Sequence, residues 1–257
     1  MNVPLFHQRT DRGSTRYTQS ELSVSYMPPE DVQCVDLADI LARRGGSPFG
    51  SKQLDLMFGG ERDRSKDIFY AGNLDCLTTP AVAIVGTRKV SPEGAARARK
   101  LAKGLVSAGV AVVSGLAEGV DTEALNAAIG AAGRVAAVIG TPINKVYPAK
   151  NAQLQERIYR DHLLISQFSV GARTFKSNFP ERNRLMAAVS DATVVIEASD
   201  SSGTLHQSAE CQRLGRWLFI AKSVVENPQL SWPKRFLPYE KCVILERVED
   251  VLERISK

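Results

Sequence analysis

Two groups of basic residues in this 257-residue chain follow apolar stretches, at positions where a phosphate could bind. The first group, Arg88 and Lys89, comes directly after the apolar residues 81–85 and the pair Gly86-Thr87. The second group combines cations with aromatic rings, and its members are Arg173, Phe175, Lys176, Phe179, Arg182 and Arg184. Because guanidinium groups bind phosphates and aromatic rings stack on bases, this composition is typical of a surface that binds single-stranded nucleic acid.

The turn after residues 81–85 departs from the glycine pattern of a dinucleotide site. "AVAIVG" reads as the first strand of a nucleotide-binding fold, and a site for the pyrophosphate of NAD would continue as G-x-G-x-x-G. This chain instead reads Gly86-Thr87-Arg88-Lys89, which places two cations where the strand turns into the next helix. We therefore expect the turn to bind the phosphate of another kind of ligand.

Two further loops join small residues to the start of a helix, an arrangement that presents backbone N–H groups to an anion. The small residues of these loops are Ser114, Gly115 and Gly119 in the first and Ser202, Gly203 and Thr204 in the second. Tight turns of any α/β fold also call for glycine and serine, so one such loop alone says little. Several of them at one edge of a sheet favour a phosphate site.

The alternation of apolar and helical segments predicts that these loops do meet at one edge. Apolar or β-branched runs recur at residues 81–85, 110–114, 134–140, 162–168, 192–198 and 216–221. Segments with helical periodicity lie between them at residues 93–108, 121–132, 150–161, 181–190 and 204–215. The pattern predicts an α/β protein with a doubly wound, mostly parallel sheet and helices on both faces. Ligands of such sheets lie beyond the carboxyl ends of the strands.

Capping signals mark two helix starts, and the chain ends in a further strand and helix. Ser91 followed by Pro92 predicts an N-cap and a first helical residue, and Asp121 is predicted to cap the helix that follows it. "CVILE" predicts a final strand, and "VEDVLERISK" predicts an amphipathic closing helix.

The first 66 residues lack this alternation. "RTDRGSTRYTQSE" and "SKQLDLMFGGERDRSKD" are polar and poorly patterned, and only "DLADILARRG" shows weak helical periodicity. We therefore predict that residues 1–66 form an N-terminal extension, partly irregular and with one helix, and that residues 67–257 form the α/β domain.

Composition limits the class of protein and its ligands. A net charge of +5 fits a polyanionic partner without requiring one. The cysteines and histidines are too scattered for disulfides, zinc or another metal, and they are Cys34, Cys76, Cys211, Cys242, His7, His162 and His206. No apolar run approaches the ~20 residues that span a bilayer, and the N-terminus has no signal-peptide core. We expect a cytoplasmic protein without metal, cofactor or membrane contact.

A catalytic constellation is difficult to assemble from these loops. Ser114 and Ser202 have no histidine base, because His206 lies one helical turn after Ser202 and no acid is available to orient it. Helix capping is the simpler explanation for Asp121. The sequence therefore favours a binding protein over an enzyme.

Several segments, in this order, resemble the DNA-processing protein A family, also called DprA or Smf, a Rossmann-like branch of the superfamily that includes the LOG phosphoribohydrolases. They are "DIFYAGNL", "AVAIVGTRKVSPEG", "GVAVVSGLAEGVDTEA", "YPAKN", "FPERNRLMAAVSDATVVIEASDSSGTL" and "LGRWLFIA". They cover about residues 67–222, and the combination "ERNR…VVIEA…SGTL" is the specific part.

The resemblance implies a non-catalytic, ATP-independent protein that binds single-stranded DNA and helps to load a RecA-type recombinase, as a homodimer, in DNA uptake, recombination or related DNA processing. The family's DNA-contacting arginine falls on Arg88, and its basic and aromatic contacts fall on Lys176, Phe179, Arg182 and Arg184. Together with the loops above, the candidate DNA- and phosphate-binding residues are Gly86, Thr87, Arg88, Lys89, Ser91, Ser114, Gly115, Gly119, Lys176, Phe179, Arg182, Asn183, Arg184, Ser202, Gly203 and Thr204.

A second interpretation is a nucleotide-sensing or nucleotide-processing protein of the LOG type, including one in defence signalling. LOG enzymes cleave nucleoside monophosphates with a P-G-G-x-G-T-x-x-E loop, and this chain reads "SDSSGTLHQ", with Gln207 in the position of the glutamate. An amide cannot act as a general acid or base, so we expect binding without hydrolysis. Release of free base from a nucleoside monophosphate, abolished by changing Gln207 or Arg88, would contradict this expectation.

Overall fold

Nine strands pair into one sheet in the computed structural model, which describes residues 26–44 and 67–255. They are β1 (Gln33–Asp36), β2 (Asp67–Gly72), β3 (Ala81–Val85), β4 (Ala111–Ser114), β5 (Val135–Val138), β6 (Leu163–Ser166), β7 (Ala192–Val195), β8 (Trp217–Ala221) and β9 (Cys242–Leu245). Their order across the sheet is β1-β2-β6-β5-β4-β3-β7-β8-β9. β3, β4, β5, β6, β7, β8 and β9 run parallel to one another. At one edge, β2 pairs antiparallel with β6, and β1 pairs antiparallel with β2.

Helices cover both faces of the sheet. Those of the described residues are α1 (Leu37–Arg43), α2 (Pro92–Ser107), α3 (Val120–Gly130), α4 (Ala152–Asp161), α5 (Asn178–Ala188), α6 (Thr204–Arg213), α7 (Lys222–Val225), α8 (Pro233–Phe236) and α9 (Glu249–Ile255). One apolar core contains buried residues of α2, α3, α4 and α9, and the other contains buried residues of α1, α5, α6, α7 and α8. The predicted doubly wound, Rossmann-like sheet is confirmed.

Burial explains why the central strands could be recognised. All residues of β3, β4, β5, β6 and β7 are buried. A parallel strand with helices on both faces has no solvent side, so its sequence is a continuous apolar run and not an alternating one. The final strand and the closing helix also lie where the sequence predicts them.

The helix predicted from residue 204 starts there, the predicted cap at Ser91 is confirmed, and two other predicted starts differ. Ser91 caps α2, because its Oγ accepts the N–H of Gly94 at 3.0 Å. The predicted cap at Asp121 is wrong: Gly119, with φ 76°, is the N-cap of α3, and Asp121 turns inward. α5 begins at Asn178 and not at residue 181, since proline is tolerated in the first turn, where an N–H has no helical partner.

Residues 33–44, within the predicted N-terminal extension, are joined to the sheet. β1 pairs with β2 along its whole length, and the apolar side of α1 is buried in the core. Arg44 Nη2 donates to Asp191 Oδ2 at 2.6 Å, and the same oxygen accepts the N–H of Ala81 at 2.8 Å. The other parts of the predicted extension, residues 1–25 and 45–66, lie outside the described residues. The boundary after residue 66 stays a prediction.

Candidate functional site

The turn after β3 is held between the end of β7 and the start of α3. Thr87 donates its N–H to the carbonyl of Glu197 at 2.7 Å, and Val120 donates its N–H to the carbonyl of Thr87 at 3.2 Å. Gly86 lies so close to α3 that a Cβ there would be 2.5 Å from Val120 Cγ2, which explains the need for glycine. These contacts fix the backbone of the turn and leave the side chain of Arg88 exposed.

Arg182 of α5 is buried, with 7% of its surface exposed. Its Nη1 donates to the carbonyl of Gly115 at 2.5 Å and to the carbonyl of Val138 at 2.7 Å, so it joins α5 to the ends of β4 and β5. A Cβ on Gly115 would lie 1.9 Å from the same Nη1. The sequence predicts Arg182 as a DNA contact, but these hydrogen bonds engage Nη1 with protein carbonyls.

Asp121 supplies the opposite charge. It is 4% exposed, and its Oδ2 accepts the N–H groups of Gly115 at 3.0 Å and Ala117 at 3.3 Å. Burial raises the pKa of the Asp121 carboxyl, and the charge of Arg182 and the backbone donors oppose that rise. Burial likewise lowers the pKa of the Arg182 guanidinium, and the charge of Asp121 opposes that fall. Each charge thus compensates the other where water is largely excluded.

Phe179, in the first turn of α5, connects the two predicted basic groups. Its ring centroid lies 5.9 Å from the Arg88 guanidinium carbon and 5.4 Å from the centroid of the Tyr147 ring. Gly140 lies behind the ring, because a Cβ there would be 2.8 Å from Phe179 Cδ1. Phe179 is half-buried, so part of its ring remains available for stacking beside an exposed cation.

The segment before α5 is exposed and basic. Arg173 and Lys176 are both exposed, and Phe175 has 61% of its surface in solvent. Lys145 donates from Nζ to the carbonyl of Ala172 at 2.9 Å, which joins this segment to the loop after β5. Three members of the predicted second group, Arg173, Phe175 and Lys176, therefore lie on the surface, just before Phe179 in the chain.

A cavity of about 330 Å³ lies between the turn after β3 and the start of α6. Nine of the predicted residues line it: Gly86, Thr87, Arg88, Phe179, Arg182, Asn183, Ser202, Gly203 and Thr204. Gly115 lines a smaller adjacent cavity together with Arg88, Phe179 and Arg182. The volume of the first cavity falls at the lower end of the range for small-molecule sites, ~300–1,000 Å³. The structure thus brings three separate loops together at one site.

Two predicted serines have structural roles outside this cavity. Ser91 caps α2, and its Oγ also donates to Glu197 Oε2 at 2.6 Å. Ser114 is fully buried, and its Oγ donates to the carbonyl of Ile84 at 2.7 Å. The hydroxyls of both serines are thus engaged within the protein, and a contact of either serine with phosphate stays a prediction.

Four other predicted residues also lie outside the cavity lining. Gly119 provides the positive φ at the start of α3, a conformation that favours glycine. Arg184 forms an ion pair with α6, its Nε lying 3.2 Å from Glu210 Oε1. Lys89 and Lys176 are exposed and lie outside the cavity.

Sequence reasoning missed two side chains of this site. The Tyr147 ring lies against the Phe179 ring at 52°, and its sequence signal is its place at the start of "YPAKN" in the loop after β5. Gln207 lines the cavity, whereas the sequence analysis considered it only as a residue in the position of a catalytic glutamate.

Among the described residues, no His, Cys, Asp or Glu side chains group in a way that could hold a metal ion. No helix of residues 26–44 and 67–255 has the length and apolar character to cross a membrane.

Comparison with known sequences identifies a family and several relatives. Residues 53–256 match the family model for DNA recombination-mediator protein A. The chain is 41% identical over 186 residues to DNA processing protein DprA of Streptococcus pneumoniae, a match that covers 72% of this chain and 65% of the relative. The chain therefore spans less than two thirds of that relative's length. These matches confirm the family that the sequence segments predict.

Two solved structures share the architecture. The X-ray structure of DNA processing protein A from Streptococcus pneumoniae superposes with a TM-score of 0.73 at 30% identity, over 88% of this chain and 75% of that chain. A Helicobacter pylori DNA processing protein A structure, which concerns that protein's single-stranded DNA binding mode, superposes with a TM-score of 0.68 at 25% identity. The latter match covers 78% of this chain and 91% of that chain.

Replacing Arg182 should destabilise the fold far more than replacing its exposed neighbour on the same helix. Arg182→Met leaves the carbonyls of Gly115 and Val138 without their donor and Asp121 without its opposite charge, so we expect a loss of about 3–5 kcal/mol in the free energy of unfolding. Arg184→Met removes one ion pair of the exposed Arg184 side chain while Glu210 keeps Arg213 as a partner, so it should cost at most about 1 kcal/mol. Urea denaturation of both variants measures the difference, and equal stability would contradict the assigned role of Arg182.

Proposed function

We propose, from the premise that this chain belongs to the DNA recombination-mediator protein A family, that it binds single-stranded DNA along the carboxyl edge of its sheet. The observation that carries this proposal is the contact between Arg88, which is exposed, and Phe179, which is half-buried, at 5.9 Å. A cation and an aromatic ring side by side suit the adjacent phosphate and base of one strand. In a duplex the bases are paired and stacked, so they could not reach the ring.

The relatives support the proposal and suggest the partners. The Helicobacter pylori relative has a single-stranded DNA binding mode, and the matched family model describes a recombination mediator. We infer that this chain assists a RecA-type recombinase in the cytoplasm, as a homodimer, during DNA uptake or recombination. Light scattering should give the mass of two chains, and the mass of one chain at micromolar concentration would contradict the dimer.

The site supports binding without catalysis. Gln207 is 1% exposed, and its Nε2 donates to Thr193 Oγ1 at 3.1 Å. A side-chain amide neither gains nor loses a proton near neutral pH, so it cannot assist the departure of a base as a general acid or base. We infer that the protein acts by holding DNA, and that the cavity does not cleave nucleotides.

The salt dependence of binding should report the exposed cations of this edge. If Arg88, Lys89 and Lys176 each neutralise one phosphate, log affinity for an oligothymidylate should fall with log salt at a slope of about −2.1, using ~0.7 per contact. Arg88→Ala should make the slope shallower by about 0.7, equally for every DNA sequence. Fluorescence anisotropy at several salt concentrations measures the slope.

Lys103→Ala is the matched control, because Lys103 is an exposed cation in the C-terminal half of α2, away from the carboxyl edge. Its slope should equal that of the unmodified protein. An Arg88→Ala variant with unchanged affinity and slope would mean that the turn after β3 has only a structural role.

Phe179 should contribute through stacking and not through charge. Phe179→Ala should weaken binding by about 1–3 kcal/mol while the salt slope stays the same. Phe179→Leu keeps an apolar side chain against Gly140 and Tyr147 but removes the aromatic face, so it should lose a similar amount. Thermal unfolding establishes that both variants fold, and folded variants that bind as tightly as the unmodified protein would disprove the stacking role.

A further inference from the structure

We propose that a third cavity, between α2 and the turn that joins β9 to α9, binds a small carboxylic acid with an apolar tail. This α2 cavity has a volume of about 680 Å³, about twice that of the cavity at the turn after β3, and the two share no lining residue. Its lining includes Ile196, Ala221 and Leu245, which lie at or just after the last residues of β7, β8 and β9. It thus lies beyond the carboxyl ends of three strands, where open α/β sheets bind ligands. The inference concerns a second ligand and goes beyond the proposed binding of DNA.

The course of the chain explains why this space is open. After β8 the chain crosses to the opposite face of the sheet, where Val224 of α7 and Phe236 of α8 join the core of α5 and α6. The chain returns with α9, whose Val251 belongs to the core of α2. α2 meets the start of this return at Gly104, where a Cβ would lie 3.1 Å from Val248 Cγ2. This contact closes one end of the α2 cavity, and the carboxyl-edge side stays open.

The floor of the α2 cavity is apolar. Its apolar side chains come from α2, from the ends of the three strands and from the turn before α9, and they are Leu101, Ile196, Ala221, Leu245 and Val248. Leu245 and Val248 are half-buried, so part of their surface remains in contact with water. An apolar tail placed against these two side chains removes that surface from water, which is favourable.

The cations of the cavity wall differ in how completely they are paired. On the side of β8 and β9, Lys222 Nζ lies 3.1 Å from Glu246 Oε1, and Arg247 Nε lies 3.5 Å from Asp250 Oδ1. On the α2 side, Lys100 is exposed, and no carboxylate of the described residues forms an ion pair with it. The α2 side therefore has an ammonium group available for an anion.

Arg97 adds a second cation on the same side. It lies one helical turn before Lys100, so both side chains face the α2 cavity from one stripe of the helix. Arg97 Nη2 is 3.8 Å from Glu197 Oε2, which is too long for a hydrogen bond, and 40% of the Arg97 side chain is exposed. A carboxylate can accept hydrogen bonds from a guanidinium and an ammonium group together.

The acidic residues of the opposite wall limit the charge of the ligand. The α2 cavity is also lined by Glu226, Glu246 and Glu249. A phosphate monoester carries close to two negative charges near neutral pH, so these carboxylates repel it more strongly than a group with one charge. One carboxylate on the α2 side, with its tail on the apolar floor, fits both walls. The volume of about 680 Å³ falls within the range for small-molecule sites, ~300–1,000 Å³.

Calorimetric titration of the full chain with octanoate, hexanoate and octylammonium tests the inference. Octanoate should bind about tenfold more tightly than hexanoate, because burial of each methylene changes affinity about fourfold. Octanoate should also bind at least about tenfold more tightly than octylammonium, which has the same tail and the opposite charge. Failure of octanoate to bind at millimolar concentration, or equal affinity for octanoate and either other probe, would overturn the inference.

Two variants locate the ligand in the α2 cavity. Lys100→Gln removes the unpaired ammonium group and should weaken octanoate binding about fivefold, the upper effect of one exposed charge. Lys103→Gln is the matched control, because Lys103 is an exposed lysine of the same helix outside the cavity lining, and it should change nothing. Leu245→Ser removes part of the apolar floor and should reduce the difference between octanoate and hexanoate.

Thermal unfolding establishes that the variants fold. Unchanged octanoate binding by folded Lys100→Gln and Leu245→Ser variants, or equal weakening by Lys100→Gln and Lys103→Gln, would overturn the assignment to this cavity.

Discussion

The geometry of the site depends on the hydrogen bonds that the buried guanidinium of Arg182 donates to two backbone carbonyls. Through Nη1 it joins α5 to the carbonyls at the ends of β4 and β5. Asp121 holds the loop between β4 and α3, because it accepts two N–H groups of that loop. α5 carries Phe179 in its first turn, so the same contacts set the position of that ring relative to Arg88. Burying a charge pair removes its hydration, which costs free energy. Here the pair lies where three loops meet and must hold fixed positions.

The carboxyl edge therefore has an open part and a closed part. Arg88 and Phe179 form the open part, where a strand can pass with a phosphate on the cation and a base on the ring. The cavity in front of α6, lined by Thr204 and Gln207, is the closed part. Arg88 belongs to both parts, because it lines the cavity and also contacts the Phe179 ring.

Much of the fold could be predicted from the sequence, whereas the roles of individual polar residues could not. Buried parallel strands leave continuous apolar runs, and Ser91 before Pro92 is a local capping signal, so both are visible in the chain. Arg182 and Arg184 look alike in sequence, yet Arg182 is buried against carbonyls, whereas Arg184 is exposed and pairs with Glu210. Tyr147 reaches Phe179 from a distant loop, and such a contact leaves no local signal. Charge can be read from residue type, but burial depends on tertiary packing.

The central claim is that a single strand lies across Arg88 and Phe179. Photocrosslinking with an oligonucleotide that carries 5-iodouracil tests it most directly, because this base reacts with aromatic side chains on which it stacks. We predict that mass spectrometry will locate the crosslink at Phe179 or at its neighbour Tyr147, and that the Arg88→Ala variant will reduce its yield. Crosslinks confined to aromatic residues away from the carboxyl edge, such as Trp217 at the start of β8, would contradict the account.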